Sequence, residues 1–241
     1  MQAVVLAGGL ATRMRPRTET VPKSMLEVAG RPFVDWQLER LAAAGFTDVV
    51  MCVAYLGEQI RDHVGDGARS GLRVVYSWED ARDDRGERVL LGTGGALRAA
   101  LPMLDRAFLV TYGDSYLPFD YAAPVRALDA HDDCDGVMSV YKNADAWDAS
   151  NVVTDGTWVL RYEKGVKDAA FDHIDYGAIA LRRDVIAAIP ANAKVGLDVI
   201  QRDLAARRRL RATIAHARFF EIGSPSGLAD LDQHLRQRAS S

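Results

Sequence analysis

The chain has 241 residues, of which 49% are hydrophobic and 26% charged, and its formal net charge is −3. That balance excludes the basic face that nucleic acids demand. No apolar run reaches the roughly 18 residues of a membrane span, so neither nucleic acid nor membrane is an expected partner. Its two cysteines, Cys52 and Cys134, lie far apart without C-x-x-C spacing, which points to a reduced, cytoplasmic compartment. A strand begins almost at the first residue and leaves no room for a signal peptide.

Taken in order, Val4, Val5, Leu6 and Ala7 read as a short buried strand that Gly8 and Gly9 end. Pro32 opens a helix with Phe33, Trp36, Leu38 and Leu41 at helical spacing and Gly45 as its stop. Residues 48–54 return as a strand, 56–64 as a helix and 72–77 as a strand. The charge-dense stretch 79–88 is expected as an exposed loop or a flap. A Gly-rich turn at 91–95 runs into a helix that Thr93 caps. Strands are expected at 107–111 and 136–141, with a helix at 121–130 between them. Beyond Asn151 a hairpin turns at Asp155-Gly156, followed by a strand at 176–181 and helices at 184–188 and 197–207. The run RRRLR at 207–211 reads as a solvated face, and HARFFEIG at 216–223 as the last strand. Ser224 then caps a final amphipathic helix with Pro225 in its first turn. Alternating strands and helices, then a hairpin, predict one α/β domain over residues 1–241. Its architecture is Rossmann-like, a three-layer sandwich on a mixed, mainly parallel sheet. Sites on such sheets lie beyond the carboxyl ends of the strands, which gathers the loops after residues 7, 111 and 220.

The stretch VVLAGGLATRMRPRTETVPK, residues 4–23, carries the strongest chemical signal. Glycine lets backbone amides approach a ligand closely, and Arg13, Arg15, Arg17 and Lys23 follow within the loop. Free N–H groups flanked by guanidinium groups suit a polyphosphate. The loop is no P-loop, because no Gly-Lys-Ser/Thr closes it, and Leu10 breaks the dinucleotide pattern G-x-G-x-x-G. Asp114 and Glu221 each follow or end an apolar strand, and two carboxylates beside substrate phosphates are a common magnesium site. The amides and hydroxyl of Gly92-Thr93-Gly94 suit the edge of a base. Zinc pairs, H-E-x-x-H and the G-x-S-x-G elbow are all missing from the sequence.

LAGGLATRMRPRTETVPKSM resembles the signature of the sugar-1-phosphate nucleotidyltransferases, L-A-G-G-x-G-T-R-[LM]-x-P-x-T-x-x-x-P-K-x-[LM], over about the first tenth of the chain. Ala11 stands where that signature has glycine. GTGGA, Gly113-Asp114, Glu163-Lys164-Gly165 and EIGSP resemble its later segments in the same order. The resemblance implies a GT-A type fold that joins an NTP to a sugar 1-phosphate. It puts Arg13 and Lys23 in catalytic roles, and Leu6, Ala7, Gly8, Gly9, Ala11, Thr12, Arg13, Gly92, Thr93 and Gly94 on the nucleotide. Lys164, Glu163, Asp175 and Gly177 would meet the sugar phosphate, and Asp114 and Glu221 would hold Mg²⁺. Glu221 replaces the usual Asp, and Asp175-Tyr176 departs from the family's N-[AG]-G segment around the sugar.

GTP is the favoured nucleotide, by likeness to manno-heptose- and mannose-1-phosphate guanylyltransferases. A uridylyltransferase or cytidylyltransferase on an amino-sugar or non-sugar phosphate stays open. So does a noncatalytic nucleotide-sugar sensor. The expected partners are small-molecule substrates, and the expected assembly is a monomer or homodimer.

Overall fold

The apolar run at the amino end forms the centre of the sheet because both of its faces are covered. In the computed structural model, which describes residues 1–79, 81, 85–86 and 89–239, β1 (Gln2–Leu6) is buried along almost its whole length. Three short 3₁₀ turns follow, then a small ribbon, β2 (Glu27–Val28) and β3 (Arg31–Pro32). The chain continues through α1 (Phe33–Ala43), β4 (Asp48–Val53), α2 (Gly57–Val64), β5 (Arg73–Trp78) and α3 (Gly92–Ala100). Next come β6 (Ala107–Tyr112), β7 (Ser115–Tyr116), α4 (Ala123–Asp129), β8 (Gly136–Lys142), β9 (Val152–Thr154) and β10 (Val159–Tyr162). The last third holds β11 (His173–Arg182), α5 (Arg183–Ala187), α6 (Leu197–Ala206), β12 (Leu210–Ala215), β13 (Phe220–Glu221) and α7 (Pro225–Ala239).

Strand β1 lies between β4 and β6 and is parallel to both, and β5 extends the sheet beyond β4 in the same sense. β11 runs antiparallel between β6 and β8, and β12, parallel to β8, follows. The β9–β10 hairpin, turned at Asp155-Gly156, joins the start of β11. Two strands, β10 and β11, running against an otherwise parallel set make the mixed sheet that the element order implied.

Period-two alternation divides the side chains between two layers. Ala3, Val5, Val49, Met51, Val53 and Leu109 pack with α1, α2 and α4. Val4, Val50, Cys52, Phe108 and Val110 pack with residues of α3, α5 and α6. A third cluster sits beside the carboxyl end of the sheet. There Leu228, Leu231 and Leu235 of α7 meet Met14, Phe33, Tyr116, Phe220 and Ile222. The final helix therefore packs on the chain's own body and braces both the first loop and β13.

Four local readings need correction. The last long strand is Leu210–Ala215, not 216–223, of which only Phe220–Glu221 is extended in a ladder. The arginine run hid it: Arg209 is paired with Asp135 and Arg211 with Asp133, so these charges flank the strand instead of facing open water. Pro32 is the residue before α1, not its first. Leu91, not Thr93, occupies the cap of α3. β11 begins three residues earlier than 176 and so includes Asp175. The expected flap falls mainly on 80, 82–84, 87 and 88, outside the described residues.

Leu231 has no exposed surface. Leu231→Ala should lower unfolding free energy by about 2–5 kcal/mol through lost transfer energy and a cavity. Urea denaturation with an unchanged m-value checks this.

Candidate active site

Parallel pairing of β1 with β6 brings the first loop and the segment after Tyr112 side by side. Leu6 is in register with Tyr112, and the Gly113 N–H donates to the Leu6 carbonyl at 2.9 Å. A β-carbon on Gly113 would lie 3.0 Å from that oxygen and from the Ala7 methyl, so only glycine keeps the two segments this close. Ala7 in turn donates to Cys52 O at 2.9 Å. Among the described residues, the amides of Gly8, Gly9, Leu10 and Ala11 have no protein acceptor. They form the loop of free donors that the sequence implied.

Ala11 has φ 49° and ψ 38°, in the left-handed region. Its carbonyl accepts from the Met14 amide at 3.0 Å and from Thr18 Oγ1 at 2.8 Å, and these bonds hold the turn. A non-glycine residue there costs about 1–2 kcal/mol, which is why the resembling signature has glycine.

Beyond the turn, Lys23 Nζ lies 2.8 Å from Asp114 Oδ2, with both side chains mostly buried. Glu221 is paired in register with Ser115, and the Ile222 amide donates to Asp114 O at 2.9 Å. Asp114, in the turn just before β7, therefore stands beside Glu221 on β13. Glu221 keeps an exposed edge but is walled by protein. That desolvation and the Asp114 charge push its pKa up from 4.5 to about 7, against Arg13 and Lys23, which pull it down. A β-carbon at Gly223 would lie 3.2 Å from an Arg13 guanidinium nitrogen and 3.9 Å from Asp114 Oδ2, so Arg13 reaches the same corner.

Leu6, Ala7, Gly8, Gly9, Lys23, Gly92, Thr93 and Asp114 line one cleft of about 220 Å³. Its far wall is apolar, made by Cys52, Leu90 and Ala96, with one carboxylate in it, Glu79 at the end of β5. One Glu79 oxygen accepts from the Leu91 amide. The other, Oε2, lies 3.5 Å from where a β-carbon on Gly8 would stand. Burial pushes Glu79 upward and the Leu91 hydrogen bond opposes it. The Gly94 and Gly95 amides donate to Val195 O at 2.9 and 3.1 Å, and Thr93 Oγ1 accepts from the Leu197 amide at 2.7 Å. Gly94 is thus spent on fastening α3 to the start of α6, and Gly92 and Thr93 are what face the cleft. Gly92 (φ +77°) tolerates no side chain, since a β-carbon would meet Val195 O at 2.8 Å.

The third group of expected residues gathers around Asn151. Its carbonyl accepts from the Glu163 amide at 3.0 Å and its Oδ1 from the Asp175 amide at 2.9 Å. Helix α6 holds the matching side chains: Gln201 Nε2 donates to Asp175 Oδ2 at 2.9 Å and Arg202 to Glu163 at 3.3 Å. β11 bulges between Asp175 and Ile179, and Gly177 (φ +95°) swings to within 3.7 Å of Ser115 and Tyr112, measured from its β position. The Gly177 amide donates to Asp175 Oδ1 at 3.0 Å. Burial pushes Asp175 upward, and the Gly177 and Gln201 hydrogen bonds and the Lys164 charge pull it back. Lys164 itself is exposed beside Glu163. Glu79, Asn151 and Gln201 carried no motif, and sequence reading missed all three.

A mixed α/β sheet with a free-amide loop, a lysine–aspartate pair and a Gly-rich helix start at its carboxyl edge defines a nucleotide-handling protein. A nucleotidyl transferase family profile matches residues 2–238, and the chain belongs to the sugar-1-phosphate nucleotidyltransferase family. It is 44% identical over 124 residues to N-acetylmuramate alpha-1-phosphate uridylyltransferase of Neisseria meningitidis, covering 51% of each chain. Over 225 residues it is 26% identical to D-glycero-alpha-D-manno-heptose 1-phosphate guanylyltransferase of Campylobacter jejuni, covering 93% of this chain and 96% of that one. The chain spans a third to about half the length of several curated relatives it matches. HddC from Yersinia pseudotuberculosis, solved complexed with GMP-PN, shares the fold with a TM-score of 0.77 at 24% identity, covering 97% of this chain and 99% of that one.

Ala11→Gly should leave stability unchanged or raise it by up to about 1 kcal/mol, while Ala11→Val should lower it by at least about 1 kcal/mol. Thermal unfolding of the two variants checks this. Glu221, with its raised folded pKa, binds a proton in the native state that the unfolded chain has already lost. Ligand-free stability should therefore fall as pH rises from about 5 to about 7. Glu221→Gln should flatten that slope in urea titrations across the range.

Proposed function

We propose that the protein joins an NTP to a sugar 1-phosphate, releasing pyrophosphate, with GTP as the favoured nucleotide. The observation that carries this reading is the convergence of Arg13, Lys23 and Asp114 on a loop of unpaired amides. An oxygen of the sugar phosphate attacks the α-phosphorus. As that P–O bond forms, the bond from the α-phosphorus to the bridging oxygen breaks, and pyrophosphate leaves with the electron pair. The nucleophile is already anionic at neutral pH, so positioning and charge neutralisation supply the catalysis. The amides of the first loop and Arg13 cradle the triphosphate, Lys23 spans the reacting phosphates, and Lys164 anchors the incoming one. Asp114, in the turn before β7, and Glu221, on β13, are neighbouring hard oxygen donors, a donor set that fits Mg²⁺. Bound there, the ion would neutralise developing charge on the phosphates. A reaction that consumes NTP belongs where NTP is made, so we assign it to the cytoplasm.

Glu79 favours guanine. A carboxylate only accepts hydrogen bonds, and the guanine edge offers N1–H and N2–H donors together. Uracil presents one N–H between two carbonyl oxygens, which a carboxylate repels. A uridylyltransferase is the second reading, supported by the relative that is 44% identical over half the chain. A sensor without catalysis fits less well, since such a protein has no use for Arg13, Lys23 and Asp114 together.

Mixing the protein with Mg²⁺, each of the four NTPs and a panel of sugar 1-phosphates should release pyrophosphate, fastest with GTP. Arg13→Ala and Asp114→Asn should each lose at least about 100-fold in kcat. Near-normal turnover of folded Asp114→Asn would remove Asp114 from its role. Glu79→Gln should cut the GTP-over-UTP ratio of kcat/KM by about tenfold or more.

A further inference from the structure

Strand register lays a floor under the cleft. Cys52 on β4, Leu6 on β1 and Tyr112 on β6 are partners in one row across the sheet. Alternation turns all three toward the same layer, and all three line the cleft. Glu79 follows β5, one strand beyond Cys52. Glu79 and Tyr112 therefore stand at opposite ends of the row, their backbones three strand spacings or about 14 Å apart. Two contacts fix Tyr112. Its carbonyl accepts from Gln37 Nε2 at 2.7 Å. Its ring abuts the bulge of β11, where a β-carbon at Gly177 would lie 3.7 Å from Tyr112 Cδ2. The phenol oxygen, by contrast, has no hydrogen-bond partner among the described residues. Unlike the Tyr176 hydroxyl, which is sealed in the core, it keeps accessible surface. A tyrosine hydroxyl both donates and accepts, and one held in a half-buried wall usually has a partner. Here the ligand is left to supply it.

Resting on the proposed nucleotidyl transfer with the base at Glu79, we propose that the Tyr112 hydroxyl takes a ribose hydroxyl of the nucleotide. A base whose edge meets Glu79 lies along the apolar wall of Cys52 and Ala96. The phosphates are drawn to Lys23 and Asp114, which follow at the Gly113 end of the same cleft. Ribose joins base to phosphate, so it must cross the interval between them, over Leu6 and beside Tyr112. The row of the sheet thus measures a whole ribonucleoside, with an acceptor at the base end and a phenol at the ribose end. A site built to hydrogen-bond a hydroxyl rejects the analogue that lacks it, because its own polar group is left unpaired. Tyr112 is therefore a specificity residue for the sugar of the nucleotide.

The test is calorimetric, with Mg²⁺ present. Kd is measured for GTP, 2′-deoxy-GTP and 3′-deoxy-GTP, and for the matching UTP set, on the wild-type protein and Tyr112→Phe. The set whose ribonucleotide binds more tightly is the one read. Loss of the contacted hydroxyl should weaken wild-type binding about three- to tenfold. Tyr112→Phe should weaken the ribonucleotide by a similar factor, yet bind that deoxynucleotide within about twofold of the wild-type value, because the two losses remove one bond. In the pyrophosphate assay the variant should raise KM for the nucleotide and not for the sugar phosphate. Equal weakening of the ribonucleotide and both deoxynucleotides by the variant overturns the inference. So does a rise in KM that falls on the sugar phosphate. Should the variant fail to fold, the wild-type series decides: equal Kd for all three nucleotides overturns the inference, and a loss with one deoxynucleotide upholds it. If no combination releases pyrophosphate, nucleotidyl transfer falls while the Kd series still judges Tyr112. If no nucleotide binds, both fall.

Discussion

Everything at the carboxyl edge of this sheet depends on how closely β1 and β6 can run. Their parallel register sets Leu6 beside Tyr112, and the bare Cα of Gly113 lets the next peptide hydrogen-bond back to Leu6. From that contact the amide-rich loop leaves on one side and Asp114 on the other. The Lys23–Asp114 pair then closes the gap between them. A methyl group at Gly113 would press on Leu6 O and Ala7 and move the loop of free amides away from Asp114. The rest of the fold secures this junction, with two apolar layers above and below and α7 bracing its side.

Charge is distributed along the cleft in a definite order. The first loop brings arginine and lysine, and Asp114 and Glu221 stand together beside them. Glu221 feels both its enclosure and its neighbour: burial first, then the Asp114 charge, push its pKa up to about 7 in spite of Arg13 and Lys23.

Much of this was legible in the sequence, for reasons that can be stated. β1, β4 and β6 announce themselves because strands covered on both faces read as apolar runs. The loop of free amides could be read because its glycines and cations lie close together in the chain, and the Asp155-Gly156 hairpin because its turn chemistry is local. What escaped notice is what depends on partners distant in the chain. Gln201 matters only because it reaches Asp175, Asn151 because it ties the Glu163 segment to the Asp175 segment, and Glu79 because β5 delivers it close to Gly8. β12 was misplaced because pairing with Asp133 and Asp135, not composition, makes its arginines compatible with a strand. The sign of φ at Ala11 is likewise a property of the closed loop, and nothing in the residue type foretells it.

The fastening of α3 to α6 has a mechanical consequence. Val195 accepts from Gly94 and Gly95 and itself donates to Leu91, while Leu197 donates to Thr93, so the two helix starts are sewn together by four bonds. The first of those helices lines the cleft with Gly92, Thr93 and Ala96, and the second carries Gln201 and Arg202, which hold Asp175 and Glu163. The enclosure therefore cannot spread at one end alone. Any widening at the start of α3 would have to drag the start of α6 with it, so the two helices move as one piece.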